Sequence, residues 1–124
     1  MKKVIATPDA PKAVGPYSQA IEVNGTLYIS GQIPVHPVDG KVQEDIVAAA
    51  HQSLKNIGAI LKEAGMTYDN VVKTTVLLAD IADFKAVNEV YAEYFTGDKP
   101  ARACYQAAAL PLGVKVEIEA IAVR

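Results

Sequence analysis

The chain has 124 residues, enough for one compact domain and too few for two separate hydrophobic cores. We therefore predict a single domain over residues 1–124. Hydrophobic residues make up 51% and charged residues 21%, as in an ordinary globular protein rather than a disordered one. Twelve Lys and Arg against fourteen Asp and Glu give a formal charge of −2. There is no global positive field to attract a phosphate backbone, so nucleic acid is not a favoured partner.

Several features of the sequence bear on the cellular location of the protein. No apolar run approaches the roughly 20 residues of a membrane span. The first residues carry charge and then break at Pro8, before the apolar core of a signal peptide can form. The single cysteine, Cys104, excludes an intramolecular disulfide. These features predict a cytoplasmic protein without membrane association.

The first part of the chain predicts a strand and a hairpin. Residues 4–6 are a short strand candidate, followed by a loop rich in proline and glycine. Two apolar runs, 17–23 and 26–30, then flank Asn24-Gly25. Both residues of this pair tolerate positive φ, which is typical of a tight hairpin turn. A second loop, over residues 31–40, follows the hairpin.

Helices and strands alternate in the rest of the chain. A helix is predicted over residues 45–64 from one apolar stripe with Gly65 as its stop: Ile46, Ala50, Leu54, Ile57 and Leu61. The β-branched segment 71–78 predicts a strand. Asp80 can cap a second helix that ends at Gly97, with apolar residues every three or four positions: Phe84, Val87, Val90 or Tyr91, and Phe95. Strands over 101–108 and 114–123 complete the chain.

This element order predicts an α+β fold, a mixed sheet with both helices on one face. In the last strand one side is apolar and comprises Val116, Ile118, Ala120 and Ala122. The other side carries Glu117 and Glu119 and then turns apolar at Ile121 and Val123. Such a face is neither plain surface nor plain core. A second copy of the chain is its simplest cover, so we predict a homo-oligomer.

Several standard sites are missing from the sequence. It contains no phosphate-binding glycine loop, no dinucleotide fingerprint, no nucleophile elbow and no zinc-protease motif. His36 and His51 lack metal-ligand spacing, and we predict no metal site. The sequence leaves open whether Cys104 forms a nucleophile pair with a histidine, because the members of such pairs meet in space rather than along the chain. A lone buried cysteine is the more common case.

Two charged residues stand out, Arg102 after Pro100-Ala101 and Glu117 in an otherwise apolar strand. Composition and spacing alone favour ordinary surface roles for both residues, without a part in binding or catalysis. Arg102 would then form a surface ion pair, and Glu117 would face solvent beside Lys115.

Short motifs along nearly the whole chain reverse that preference. They are Ala10-Pro11, Gly15-Pro16-Tyr17-Ser18-Gln19-Ala20, Ser30-Gly31-Gln32-Ile33-Pro34, Val87-Asn88-Glu89-Val90-Tyr91, Pro100-Ala101-Arg102-Ala103-Cys104, Leu110-Pro111, and Val116-Glu117-Ile118-Glu119-Ala120-Ile121-Ala122. In their joint order they resemble the RidA-type reactive intermediate (enamine/imine) deaminases. The resemblance implies a chorismate-mutase-like α+β domain that forms a homotrimer with a site at each subunit interface.

The resemblance also implies residue roles. The family's arginine at the position of Arg102 holds the substrate carboxylate, which suits the bidentate fork of a guanidinium. Glu117 would orient and deprotonate the attacking water. Cys104 would contribute mainly backbone groups to the pocket. Five more residues match substrate-binding or pocket-shaping positions of the family: Tyr17, Ser30, Gly31, Asn88 and Pro111.

The implied reaction is hydrolysis of 2-iminobutanoate and 2-iminopropanoate, tautomers of reactive enamines, to 2-keto acids and ammonia. It needs no metal or organic cofactor. The sequence departs from the common family pattern over residues 103–112, which puts the pocket lining in question. Two alternatives remain: a regulatory protein that binds a keto acid without catalysis, and a ribonuclease or translation inhibitor. The acidic charge balance disfavours the second.

Overall fold

The computed structural model describes residues 1–124. Six strands and two helices form the fold, and their bounds are β1 Lys3–Ile5, β2 Ala20–Val23, β3 Thr26–Gln32, α1 Ile46–Glu63, β4 Val71–Leu78, α2 Phe84–Tyr94, β5 Ala101–Gln106 and β6 Val116–Val123. Three short 3₁₀ turns lie between them. No helix has the length and apolarity that a membrane span requires.

All six strands belong to one sheet in the order β1-β2-β3-β6-β4-β5. Neighbouring strands are antiparallel except for β4 and β5, which are parallel. The parallel pair is joined through α2, as a crossover connection requires. The predicted mixed α+β sheet is confirmed.

The two sides of the sheet differ, as the pattern of the last strand predicts. In β6 the buried residues are Val116, Ile118, Ala120 and Ala122. They join four residues of the predicted α1 stripe and residues of α2 in one core cluster of 24 residues, and Ile46 of the stripe packs against it. The opposite side has no helix over it. We call that side the open face; Tyr28, Tyr105 and Val123 on it are each 40% exposed or more.

The hairpin between β2 and β3 follows the prediction for Asn24-Gly25. The two residues have φ values of 50° and 79°, the positive angles of a tight turn matched to the twist of its strands. β2 starts only at Ala20, however, so the prediction of a strand from residue 17 is wrong. Tyr17 lies in a turn, where its backbone N–H donates to the Gly15 carbonyl over 2.8 Å.

The second helix and the last two strands are shorter than predicted. Asp80 caps a 3₁₀ turn rather than α2, because its carboxylate accepts from the Ala82 N–H at 2.9 Å and α2 begins at Phe84. A proline-initiated 3₁₀ turn, Pro111–Gly113, separates β5 from β6. Within it, Leu112 has a φ of 57°. This turn reverses the chain, which explains why β5 ends earlier, and β6 begins later, than predicted.

Candidate active site

Arg102 lies on β5 and faces the helices. Its Nη1 donates to Asn88 Oδ1 of α2 over 2.7 Å. The guanidinium carbon lies 4.9 Å from the centre of the Tyr91 ring and 5.5 Å from that of Phe84. No ion pair of the structure involves Arg102. The surface ion pair that composition and spacing alone favour is not formed within the chain, and the partly buried guanidinium has no acidic partner there.

Glu117 lies on β6, on the open face, and is half-buried. Burial raises the pKa of its carboxyl group, and the negative charge of Glu119 raises it further. Glu117 is thus less exposed than a plain solvent-facing residue, and its role stays a prediction. A raised pKa is suited to a group that accepts a proton, because the conjugate acid is then formed more readily.

Gly31 of β3 leaves the space that the Glu117 carboxylate occupies. A Cβ atom at residue 31 would lie 2.9 Å from Cδ of Glu117 and closer still to its carboxylate oxygen. Any side chain there would displace the carboxylate. Glycine is thus required here for close approach rather than for an unusual backbone angle, and the sheet register between β3 and β6 creates the contact.

Arg102 and Glu117 point to opposite sides of the sheet. Arg102 is paired with Thr74 of β4, which is buried under α2 and shares a 2.7 Å hydrogen bond with Tyr91. Glu117 is paired with Leu77 of the same strand. Side chains at directly paired positions lie on one face, and residues 74 and 77 of β4 lie on different faces. Within a single chain the two groups therefore do not face one another.

The other predicted site residues divide into the same two groups. Tyr17 and Ser30 line a cavity of about 460 Å³ on the open face, together with Glu119. The Ser30 hydroxyl donates to the Ser18 carbonyl at 2.6 Å and so ties the loop that carries Tyr17 to β3. We call the set Tyr17, Ser30, Gly31 and Glu117 the glutamate half-site. The set Asn88, Arg102 and Cys104 is the arginine half-site.

Cys104 follows Arg102 by two residues and points to the same side of the sheet. Burial raises the pKa of its thiol, an effect that the nearby Arg102 charge only partly offsets. A thiol that resists ionisation is a poor nucleophile. Neither histidine is bonded to it, since His51 Nδ1 lies 2.7 Å from the Tyr94 hydroxyl and His36 Nδ1 accepts from the Val38 N–H. The structure forms no Cys–His nucleophile pair.

Pro111 is exposed, in the turn before β6. The next residue, Leu112, lines a recess of about 130 Å³ together with Tyr17 and Gly31. Pro111 thus belongs to the segment that closes one side of the glutamate half-site. No group of three or more His, Cys, Asp or Glu side chains is arranged to hold a metal ion.

Sequence reasoning missed the part that Gln19 plays. This buried side chain accepts from the Thr7 N–H at 2.7 Å and donates to the carbonyls of Thr7, Ala10 and Pro11 at 3.1, 3.3 and 2.8 Å. It fixes the N-terminal loop against β2 and with it Tyr17, two residues away. The sequence offered no distinctive signal for this role, because Gln19 directly precedes β2 in a run that also contains the polar residues Ser18 and Glu22.

The fold and the two half-sites define a class of protein: a small α+β chain with an unpaired arginine and a half-buried carboxylate on opposite faces of one sheet. The particular family follows from comparison. The chain belongs to the Endoribonuclease L-PSP family, whose model matches residues 7–124, and with it to the RidA-type proteins that its motifs resemble.

Relatives of high identity support this assignment. The 2-iminobutanoate/2-iminopropanoate deaminase of Mus musculus is 59% identical over 125 residues, which cover 100% of this chain and 93% of the mouse protein. A Yersinia pestis chain of the conserved Rid protein family has a TM-score of 0.97 at 50% identity, with both chains fully covered. E. coli TdcF with bound serine has a TM-score of 0.96 at 44% identity, covering 98% of each chain.

Proposed function

We propose that this protein hydrolyses 2-iminobutanoate and 2-iminopropanoate to the corresponding 2-keto acids and ammonia. The observation that carries the proposal is the pair of half-sites: an arginine without an acidic partner and a half-buried carboxylate with a raised pKa. A site that only bound a carboxylate would need the arginine alone. The activity named for the mouse relative supports the same substrates, and the serine held by the E. coli relative supports a ligand with a carboxylate.

The active unit that we propose is a homotrimer with its sites at subunit interfaces. Because Arg102 and Glu117 lie on opposite faces of one sheet, a complete site needs the arginine half-site of one subunit and the glutamate half-site of its neighbour. The uncovered open face, with Tyr28 and Tyr105 half-exposed, supports the same conclusion, because a symmetric partner would bury it. A cyclic trimer would contain three equivalent sites.

The reaction begins when the Arg102 guanidinium binds the substrate carboxylate through two N–H groups and so orients the imine. Glu117 accepts a proton from a water molecule as the water oxygen adds to the imine carbon, and the C=N double bond becomes a C–N single bond. The imine nitrogen takes up the proton that Glu117 accepted, which gives the carbinolamine and regenerates the carboxylate. As the C–N bond breaks, the hydroxyl proton passes to the leaving nitrogen through Glu117, so that ammonia departs and the C=O bond of the keto acid forms. Backbone groups near Cys104 complete the carboxylate pocket.

This chemistry can proceed without an organic cofactor, since water is the only co-reactant. Positioning two reactants and supplying one base is sufficient for a reaction whose uncatalysed rate is already appreciable. We place it in the cytoplasm, where the free cysteine Cys104 would stay reduced.

The direct test generates both imines in situ from alanine and 2-aminobutanoate with an amino-acid oxidase. Semicarbazide traps the imines, and the semicarbazone is followed with and without the protein. We expect the wild-type protein to suppress trapping and Arg102→Ala and Glu117→Ala to lose this effect while they stay folded. If the wild-type protein binds keto acid and does not suppress trapping of either imine, the protein is a metabolite-binding regulator and the enzymatic proposal is wrong.

The pH dependence of the rate should report on Glu117. A general base must be deprotonated, so activity is lost as the pH falls through the pKa of Glu117. Because burial and Glu119 raise that pKa, the loss should begin at higher pH than for an ordinary glutamate. In Glu119→Gln the like charge is gone, and the acid limb of the kcat/KM profile should move to lower pH. An acid limb that does not move would show that another group titrates.

Gly31→Ala should reduce activity with little loss of stability. The new methyl group would meet the far end of the Glu117 side chain, which can rotate away and leave the backbone in place. The displaced base should lower kcat by about 10-fold or more, because catalytic groups tolerate little misplacement. Gly97→Ala is the matched control, since a Cβ at Gly97 meets only Asp69 Oδ1 at an ordinary 3.7 Å. Equal thermal stability and unequal kcat for the two variants would support the role of Gly31.

A further inference from the structure

Two aromatic rings lie against the Arg102 guanidinium. Neither ring has a role in the substrate binding or catalysis described above. The central carbon of the guanidinium lies 4.9 Å from the Tyr91 ring centre and 5.5 Å from the Phe84 ring centre, and both rings belong to α2. These distances are within the range of a cation–π contact. Asn88 Oδ1, on the same helix, accepts a hydrogen bond from Nη1 of Arg102. Three residues of one helix therefore fix the group.

The identity of these neighbours has a chemical consequence. A carboxylate beside Arg102 would hold it equally well but would neutralise it and compete with the carboxylate of a substrate. Aromatic rings attract the cation through their faces and leave its charge in place. Asn88 occupies only part of the N–H edge, so other N–H groups stay available for bidentate binding of a carboxylate.

One of the rings is itself rigidly placed. The Tyr91 hydroxyl shares a 2.7 Å hydrogen bond with Thr74, and its ring centre lies 4.5 Å from that of Phe95. Tyr91 is 6% exposed, whereas Phe84 at the start of α2 is 39% exposed. Phe84 can therefore be changed with little risk to the core, which makes it the useful residue for a test.

We propose that Phe84 and Tyr91 are positioning residues that act on substrate binding through Arg102. This inference rests on the proposed function, in which Arg102 binds the substrate carboxylate. It assigns the rings no contact with substrate. Removing the Phe84 ring should weaken carboxylate binding because the guanidinium becomes mobile, and this should raise KM more than it lowers kcat.

The test measures the dissociation constant of 2-ketobutanoate by NMR titration, and kcat and KM for 2-iminobutanoate, in a double-mutant cycle of Phe84 and Arg102. Phe84→Leu should weaken keto-acid binding by about 5-fold, the scale of a partly exposed cation–π contact. Phe84→Tyr keeps a ring and should restore binding to within about 2-fold of the wild-type value. In the Arg102→Ala background, Phe84→Leu should have no further effect. Circular dichroism and solution mass check that each variant is folded and assembled.

Each alternative outcome has a distinct meaning. If Arg102→Ala does not weaken keto-acid binding, the carboxylate role in the proposed function is wrong. If Arg102→Ala weakens binding and Phe84→Leu does not, only the positioning role is overturned. It is overturned as well if Phe84→Leu has the same effect in both backgrounds, because Phe84 would then contact the ligand directly, or if Phe84→Tyr binds as weakly as Phe84→Leu.

Discussion

Glu117→Gln is expected to abolish imine hydrolysis while the protein still folds, assembles and binds 2-ketobutanoate. Glutamine keeps the size of the side chain and fits the space beside Gly31, but it cannot accept the proton of the attacking water. We expect kcat to fall by about 100-fold or more, the usual contribution of a general base. The semicarbazide competition assay measures the loss, and NMR titration measures the binding.

Glu119→Gln is the matched control for this change. Glu119 lies on the same strand and the same face as Glu117, two residues away. Its replacement by glutamine removes one negative charge, as the replacement of Glu117 does. It should retain activity at neutral pH, because the control variant keeps the base. If Glu117→Gln and Glu119→Gln lose activity equally, the effect is one of charge on the open face and Glu117 is not the base.

Two inactive variants should regain activity when they share a trimer. Arg102→Ala subunits keep an intact glutamate half-site, and Glu117→Gln subunits keep an intact arginine half-site. If each site joins the half-sites of two neighbours, random assembly from equal amounts should restore about one quarter of the sites. The measurement is imine hydrolysis after the mixed subunits are unfolded and refolded together, with the mass in solution as a check of assembly.

The controls for this mixing experiment are built from the same residues. Arg102→Ala mixed with the double variant Arg102→Ala/Glu117→Gln should stay inactive, because no subunit then supplies an arginine. Activity that stays absent in the first mixture, despite mixed trimers, would mean that both groups act from one chain. That result would contradict the proposal that each site lies between two subunits, which rests on the opposite orientations of the Arg102 and Glu117 side chains.

Local patterns predicted most of the secondary structure. Strand β4 has the predicted limits, residues 71–78, because its β-branched residues and flanking turns are local signals. The Asn24-Gly25 hairpin and the stop of α1 before Gly65 depend on backbone preferences of single residues. The errors lie at ends where a side-chain contact competes with a pattern. At Asp80, for example, a single hydrogen bond begins a 3₁₀ turn ahead of the helix.

The candidate site divides in the same way. Motif resemblance was enough to select Arg102 and Glu117 and to propose a chemistry for them. It could not indicate that Arg102 stacks against Phe84 and Tyr91, because strand β5 and helix α2 meet only in the folded chain. Gln19 was overlooked for a similar reason, since its partners are backbone groups of a separate loop.

The sequence by itself determined the element order, the amphipathic sides of β6, the family and the residues that carry the proposed chemistry. The element order and the sides of β6 follow from local periodicity, whereas the family and the residues proposed for the chemistry follow from the resemblance of the motifs. Only the tertiary structure decided that the carboxylate of Glu117 sits in the space left by Gly31, and that Arg102 faces the other side of the sheet. Both depend on strand register and strand order, which arise when segments far apart in the sequence pair with one another.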